Sequence, residues 1–381
     1  MKAFLVGGAV RDQLLNYPYT KNDWVVIGCT PEEMYSHGFT PISKDFPVFL
    51  HPETKEKYAL ARTEKKVSAG SNGFTFNTSV AITLEEDLKR RDLTINAMAQ
   101  LENGTIIDPY GGQNDLKQKR LRHVSSAFKE DPLRLLRVAR FSARYHHLGF
   151  RIARSTNTLM HEIISSGEVK HLVPEHIWQE LNQALQEISP EQFLRSLRRC
   201  RAIPAIFPDI PENKITTCIE MLSTTGILTS DPMIRFTALC HPLKLNSIVN
   251  MCDTLRAPKS YSELAILTKK YYHFCCQTSQ WSATSLADFF QATDALRKPE
   301  RLHQLLVACH GIYRAEQLSE FFDDRNKQTN FKQEQRLLSA LDAYKRVNHQ
   351  EMIARGFRNA ALVQAIEKQR LTHLSGWLET V

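Results

Sequence analysis

The sequence predicts an α/β head followed by an all-α C-terminal portion. Short apolar strand runs alternate with capped helices through residues 1–125. Beyond that point the strand signals fade, and apolar residues recur at helical spacing. The chain has 381 residues, 42% hydrophobic and 24% charged, which is ordinary globular composition at a length that favours more than one packed unit. A disordered, collagenous or coiled-coil protein is excluded.

Phe4 to Val6 reads as a strand, Gly7-Gly8 as a tight turn and Ala9 to Leu15 as a short helix. Asp23 to Ile27 is a second apolar strand. Thr30-Pro31-Glu32-Glu33 opens a helix with a capping box and a proline at its first position, and Gly38 stops it. Phe46–His51 and Lys57–Thr63 read as paired strands around a polar turn. Lys65–Thr83 has no period and is rich in Ser, Gly, Asn and Thr, which predicts a mobile loop. Thr83 and Glu86 form another capping box for a helix reaching Arg91, and Asn96–Asp108 resembles a hairpin turning at Asn103-Gly104. Helices are then expected over Leu133–Arg144, His176–Leu185, Glu191–Arg199, Pro232–Leu239, Leu302–Ile312 and Gln335–Tyr344. Short polar links join them, such as Pro208–Pro211 and Arg256–Ser260.

The formal net charge is +8, and it is unevenly placed. Lys117–Arg144 holds nine basic residues against Glu130 and Asp131, a net +7 that points to a phosphate-bearing partner. Eight cysteines without a C-x-x-C pair fit a reduced, cytoplasmic setting. Arg11 and Asp12 end the apolar run Ala3–Val10, and no run approaches the ~20 residues of a spanning helix, so no membrane partner is expected.

Four runs could carry chemistry. In Leu5-Val6-Gly7-Gly8-Ala9-Val10-Arg11-Asp12, two glycines let a ligand approach the backbone and Arg11 adds a forked donor suited to a triphosphate; alone, such a turn is more often only a turn. Asp23 starts a strand, and magnesium-dependent nucleotidyl transfer wants a second carboxylate two positions earlier, where Lys21 stands. Lys89-Arg90-Arg91-Asp92 closes a predicted helix with Asn96 four residues on; it is either dipole compensation or a phosphate clamp beside a ribose contact. In Glu130-Asp131-Pro132-Leu133-Arg134-Leu135-Leu136-Arg137-Val138-Ala139-Arg140, helical spacing gathers Arg134, Arg137, Arg140 and Arg144 on one face, with no glutamate interleaved. Asp131 and Arg134, one turn apart, could hydrogen-bond a planar base edge.

Together these runs resemble the class II tRNA nucleotidyltransferases, the CCA-adding enzymes, particularly the long bacterial type. Asp45-Phe46-Pro47-Val48-Phe49-Leu50-His51-Pro52 and Tyr58-Ala59-Leu60-Ala61-Arg62-Thr63-Glu64 extend the match. The resemblance implies a nucleotidyltransferase head with a small mixed sheet over residues 1–125. A nucleotide-templating helical neck would follow over 126–212, and a tRNA-binding helical body and tail over 213–381. Gly8 and Arg11 would hold the triphosphate, and Asp23 would be the catalytic, magnesium-binding carboxylate. Arg91, Arg137 and Arg140 would contact the nucleotide, with Asp92 and Asn96 in support. Asp131 and Arg134 would read CTP or ATP as a protein template. The Lys65–Thr83 loop would close over the site, and Arg195, Arg198, Arg199 and Arg201 would be candidates for gripping the tRNA acceptor arm.

Two departures stand out. Lys21 replaces the first of two metal-binding acids, and an ammonium cannot coordinate magnesium. Long bacterial relatives often carry an HD phosphohydrolase domain, whereas Leu239-Cys240-His241-Pro242-Leu243-Lys244 lacks the carboxylate, so no phosphohydrolase activity is expected. The leading expectation is CCA addition to tRNA from CTP and ATP. The alternatives are a catalytically impaired nucleotide- or tRNA-binding relative, motivated by Lys21, and a poly(A) polymerase.

Overall fold

The computed structural model describes residues 1–42, 47–67, 74–320 and 331–380. They form two compact units, Met1–Pro208 and Asp209–Val381.

The first unit is built on a seven-stranded mixed sheet ordered β3-β4-β5-β2-β1-β8-β9. The strands are β1 (Lys2–Val6), β2 (Asp23–Ile27), β3 (Thr40–Pro41), β4 (Val48–Leu50), β5 (Lys57–Leu60), β8 (Ala99–Gln100) and β9 (Ile106–Ile107). Strands β2 and β5 run parallel; every other neighbouring pair is antiparallel. Period-2 alternation divides the apolar side chains between two faces. Phe4, Val6 and Val25 pack with Leu84 and Leu88 of α3 (Leu84–Lys89). Val26, Phe49 and Leu60 pack on the other face with Met34 of α2 (Pro31–Ser36). Both expected capping boxes are formed, Thr30 with Glu33 and Thr83 with Glu86. The hairpin turns where Gly104 adopts φ 85°.

The loop expected over Lys65–Thr83 is corrected. Strands β6 (Thr63–Lys66) and β7 (Phe74–Asn77) pair antiparallel as a separate two-stranded ribbon, and residues 68–73 lie outside the described residues, as do Asp45 and Phe46. Lys65 and Lys66 hid the strand because main-chain hydrogen bonds, which leave no mark in the side-chain sequence, carry the pairing. The reading of uniform helix beyond residue 125 also needs one amendment. Arg151–Ile152 (β11) pairs in parallel with Arg120–Leu121 (β10), a ladder too short to leave a periodic signal.

The helices of this unit are α1 (Gly8–Leu14), α2, α3, α4 (Gly112–Lys117), α5 (Leu133–Tyr145), α6 (Arg154–Ser165), α7 (Pro174–Gln186), α8 (Glu191–Arg199) and α9 (Ile203–Ile206). Helix α5 buries Leu135, Leu136, Val138 and Ala139 completely and packs on α7 and α8, which leaves its arginine face turned toward the head.

The second unit is helical in its described residues: α10 (Ile215–Leu228), α11 (Pro232–Cys240), α12 (Leu245–Leu255), α13 (Lys259–Cys276), α14 (Ala283–Ala292), α15 (Pro299–Glu320), α16 (Lys332–Lys345), α17 (His349–Ala354) and α18 (Asn359–Leu378). Its core gathers Tyr272, Phe289, Phe290, Leu305, Phe331 and Tyr344. His241 ends α11, buried, with its ring edge-on to Tyr272 at 4.5 Å and its carbonyl accepting from Lys269 Nζ at 2.7 Å. Burial, reinforced by Lys269 and His273, pushes its imidazole down to about 3. No helix among the described residues is long and apolar enough to cross a membrane.

Candidate active site

The glycine turn after β1, the run from Arg90 to Asn96 and the arginine face of α5 meet at one cavity of about 610 Å³. Of the residues singled out from sequence, Gly8, Arg11, Asp23, Arg91, Asp92, Asn96, Arg134, Arg137 and Arg140 line it. Asp131 sits just behind, its carboxylate accepting from the Leu133 N–H at 3.0 Å and lying 4.0 Å from Arg134 Nε.

Gly7 holds φ 69°, and a Cβ there would come within 2.9 Å of Arg91 Nη1. The left-handed backbone is what calls for glycine there, with the Arg91 guanidinium tip packed against it. Arg11 is 5% exposed and its donors are engaged inside the protein. Nε and Nη2 each reach Asp12 at 2.8 Å, and Nη1 donates to Asn96 Oδ1. Phe141 and Tyr145 lie against the guanidinium, with ring centroids 5.2 and 5.0 Å away. Asn96 Nδ2 donates to Asp92 Oδ1 at 2.9 Å, and Asp92 Oδ2 accepts from Arg137 Nε at 2.7 Å. A continuous relay thus runs Asp12–Arg11–Asn96–Asp92–Arg137. Burial pushes the Asp92 carboxyl up, but Arg137, Asn96 and the Leu93 N–H outweigh it and hold the group well below the usual carboxylate range.

The other arginines are compensated too, some from distant parts of the chain and some from one helical turn away. Arg140 Nε reaches Glu180 of α7 at 2.6 Å, and Arg144, outside the cavity lining, bridges Glu187 and Asp12 at 3.3 Å each. Arg134 donates to the carbonyls of Ala127 and Arg90 at 3.0 and 2.7 Å. Arg90 in turn is held by Asp87 at 2.9 Å and Glu64 at 2.6 Å, and Arg91 by Asp87 at 3.2 Å. The absence of glutamate along the arginine face did not mean free charge.

Four residues of this network escaped the sequence reading. Asp87, fully buried, was legible as the acid one turn before Arg91. Glu180 was not, because nothing local couples α7 to α5. Arg62 lines the cavity with its guanidinium 4.8 Å from the Phe76 ring and its Nε 3.5 Å from Glu64 Oε1. Lys57 also lines the cavity, opposite Asp23 in the parallel β2–β5 register.

Among the described residues, three carboxylates line the cavity: Asp23, Glu64 and Asp92. Arginines hold Glu64 and Asp92, so Asp23 alone is without an ion pair among the described residues. Lys21 is exposed and outside the lining, and the described residues contain no group of three or more His, Cys, Asp or Glu able to cage a metal. This donor set fits one divalent ion completed by phosphate oxygens and water, and does not fit a two-ion site held by paired acids.

A family model described as the poly A polymerase head domain matches residues 3–122, and one described as a probable RNA and SrmB-binding site of polymerase A matches residues 149–214. The "CCA-adding enzyme" of Coxiella burnetii (strain RSA 493 / Nine Mile phase I) is 44% identical over 97% of this chain and 94% of its own length. The chain belongs to the CCA-adding enzyme family. The "Multifunctional CCA protein" of Legionella pneumophila (strain Lens) is 42% identical, covering 97% of this CCA-adding enzyme and 96% of the relative. The fold agrees with solved structures. A Thermotoga maritima CCA-adding enzyme complexed with tRNA superimposes with a TM-score of 0.68 at 19% identity, covering 98% of this chain and 87% of the other. A Bacillus stearothermophilus CCA-adding enzyme in complex with CTP gives 0.67 at 22% identity, covering 98% and 89%. Nucleotidyltransferases of this family use divalent metal ions.

Proposed function

We propose that this nucleotidyltransferase adds C, C and A in order to the 3′ end of tRNA, drawing on CTP and ATP without a nucleic-acid template. The 3′-hydroxyl oxygen attacks the α-phosphorus, the bond to the β-phosphate oxygen breaks and pyrophosphate leaves, while the hydroxyl proton passes to solvent. Such a step asks the protein for alignment and charge neutralisation and little covalent chemistry.

The observation carrying this reading is the relay from Arg11 through Asn96 and Asp92 to Arg137, which ties the glycine turn to the arginine helix at one cavity. Gly8 and Arg91 flank the phosphates, Arg11 holds the turn and Asn96, and Arg137 and Arg140 wall the nucleotide. Asp131 and Arg134 read the base edge, with Asp131 fixed by the Leu133 N–H and Arg134 by two carbonyls, so the pair is preset before a nucleotide enters. Asp23 is the carboxylate that would hold Mg²⁺. When bound, that ion draws electron density from the phosphate oxygens. Arg195, Arg198, Arg199 and Arg201, exposed on and just after α8, are suited to tRNA phosphates. A tRNA-processing role, with eight cysteines all reduced, fits the cytoplasm.

The test supplies magnesium, labelled CTP or ATP, and tRNA ending before CCA, before CA or before A. Ordered addition of C, C and A is expected. A second reading, a catalytically impaired relative, rests on Lys21 and predicts no incorporation by the wild type but recovery in Lys21→Asp. Unlimited A addition would instead mark a poly(A) polymerase.

A further inference from the structure

We infer that Lys57 contacts a phosphate of the incoming nucleoside triphosphate, supplying positive charge beside Asp23, the lining carboxylate without an ion pair among the described residues. The inference rests on reading the cavity as the nucleotide site.

Strand pairing dictates the placement. Asp23 pairs with Val6 on one side and Lys57 on the other, so all three sit in one row across β1, β2 and β5. Neighbouring strands are ~4.8 Å apart, well within the reach of a lysine stem. Alternation settles the face. Asp23, Val25, Lys57 and Ala59 share one face by alternation and all line the cavity, to which Trp24 of β2 also contributes. The register is pinned from the opposite face, where Glu56 accepts from Asn22 Nδ2 at 2.7 Å and Trp24 Nε1 at 2.8 Å. There Trp24 also stacks on Tyr58, with ring centroids 5.4 Å apart. A slip by one residue would turn Lys57 away.

Charge then distinguishes Lys57 from the arginines around it. Arg11, Arg90, Arg91, Arg137 and Arg140 each meet a carboxylate within 3.2 Å. Lys57 lines the same cavity, is exposed, and has no ion pair among the described residues, not even with Asp23. A cross-strand Lys–Asp pair would be the ordinary use of this register. Here the two charges stay apart, leaving an ammonium and a carboxylate that both face the space a triphosphate and its ion would enter. With Lys21 outside the lining, Lys57 is the cation placed to offset phosphate charge where a second acid–metal pair is lacking.

Equilibrium dialysis of the full-length protein against labelled CTP, ATP and cytidine in EDTA tests this without calling on catalysis or metal. Lys57→Met is expected to weaken CTP and ATP alike by about 10-fold or more, Lys57→Arg to retain most of the affinity, and cytidine to bind all three proteins equally. Unchanged CTP binding in Lys57→Met would overturn the inference, as would an equal loss of CTP and cytidine, which would mark a structural role. A wild type that takes up neither CTP nor ATP, with or without Mg²⁺, would overturn the nucleotide reading beneath it. Thermal unfolding of Lys57→Met, expected within a few degrees of wild type, separates loss of fold from loss of contact.

Discussion

Arg137 donates from Nε to Asp92 across 2.7 Å, joining the arginine helix to the bend that follows α3. Asp92 is buried, whereas the Arg137 side chain is 38% exposed, so the pair sits at the wall of the cavity with the cation on its open side.

Removing the anion should therefore hurt both fold and ligand. Asp92→Ala strips partners from Asn96 and Arg137, and is expected to cost about 1–3 kcal/mol of stability, discounted for the exposure of Arg137. Chemical denaturation with CTP titration checks it: the KM for CTP should rise together with the loss of stability, and an unaltered KM would separate the relay from nucleotide binding.

Asp131→Ala should relax base choice more than it weakens triphosphate binding. One or two lost hydrogen bonds correspond to about 10-fold or more in discrimination of CTP and ATP against UTP and GTP. Competition assays on tRNA ending before CCA would read this directly, and an equal loss of selectivity and affinity would remove Asp131 from the template role.

Metal dependence offers a third check. Asp23→Asn should lower incorporation by at least about 100-fold at saturating nucleotide, since one ligand supplies the whole protein share of the ion. Lys21→Asp should lower the magnesium concentration needed for half-maximal rate. If Asp23→Asn retained wild-type magnesium response, the ion would have to be held elsewhere.

Acid stability of the second unit should depend on His241. Burial lowers its folded value to about 3, below the ~6.5 of an unfolded histidine, so the unfolded chain binds the extra proton between those limits. Stability is then full above pH ~6.5 and falls as pH drops toward 3, by at most ~1.4 kcal/mol per pH unit. His241→Phe should flatten that slope in urea titrations at pH 4, 5 and 6. An unchanged slope would assign the acid sensitivity to other groups.

Much of this molecule was legible where one residue speaks to its near neighbours. The two capping boxes, the turn at Gly104 and the span of α8 follow from local rules, and all are formed. The site's cations were legible too, because helical spacing gathers Arg134, Arg137 and Arg140. Their partners were not. Glu180 lies 40 positions from Arg140, and Asp92 45 positions from Arg137, so only the fold decides which acid meets which base. The β6–β7 ribbon was misread for a related reason: β6 is polar throughout, and the Phe74–Phe76 alternation of β7 spans only four residues, too few to stand out alone. Lys57 was invisible as a site residue until the register placed it beside Asp23.

The relay that begins at Asp12 closes only at Arg137, and this gives the site a birth order. At about 5–20 residues per second, a ribosome makes Arg11 several seconds before Arg137 emerges. During that interval the first strands and the glycine turn can exist while the nucleotide wall cannot. Asp12, adjacent in the chain, is the partner Arg11 has from the start, both nitrogens at 2.8 Å in the finished protein. A chain released after Asp23 but before Asp131 would carry the turn and Asp23 yet have nothing with which to read a base.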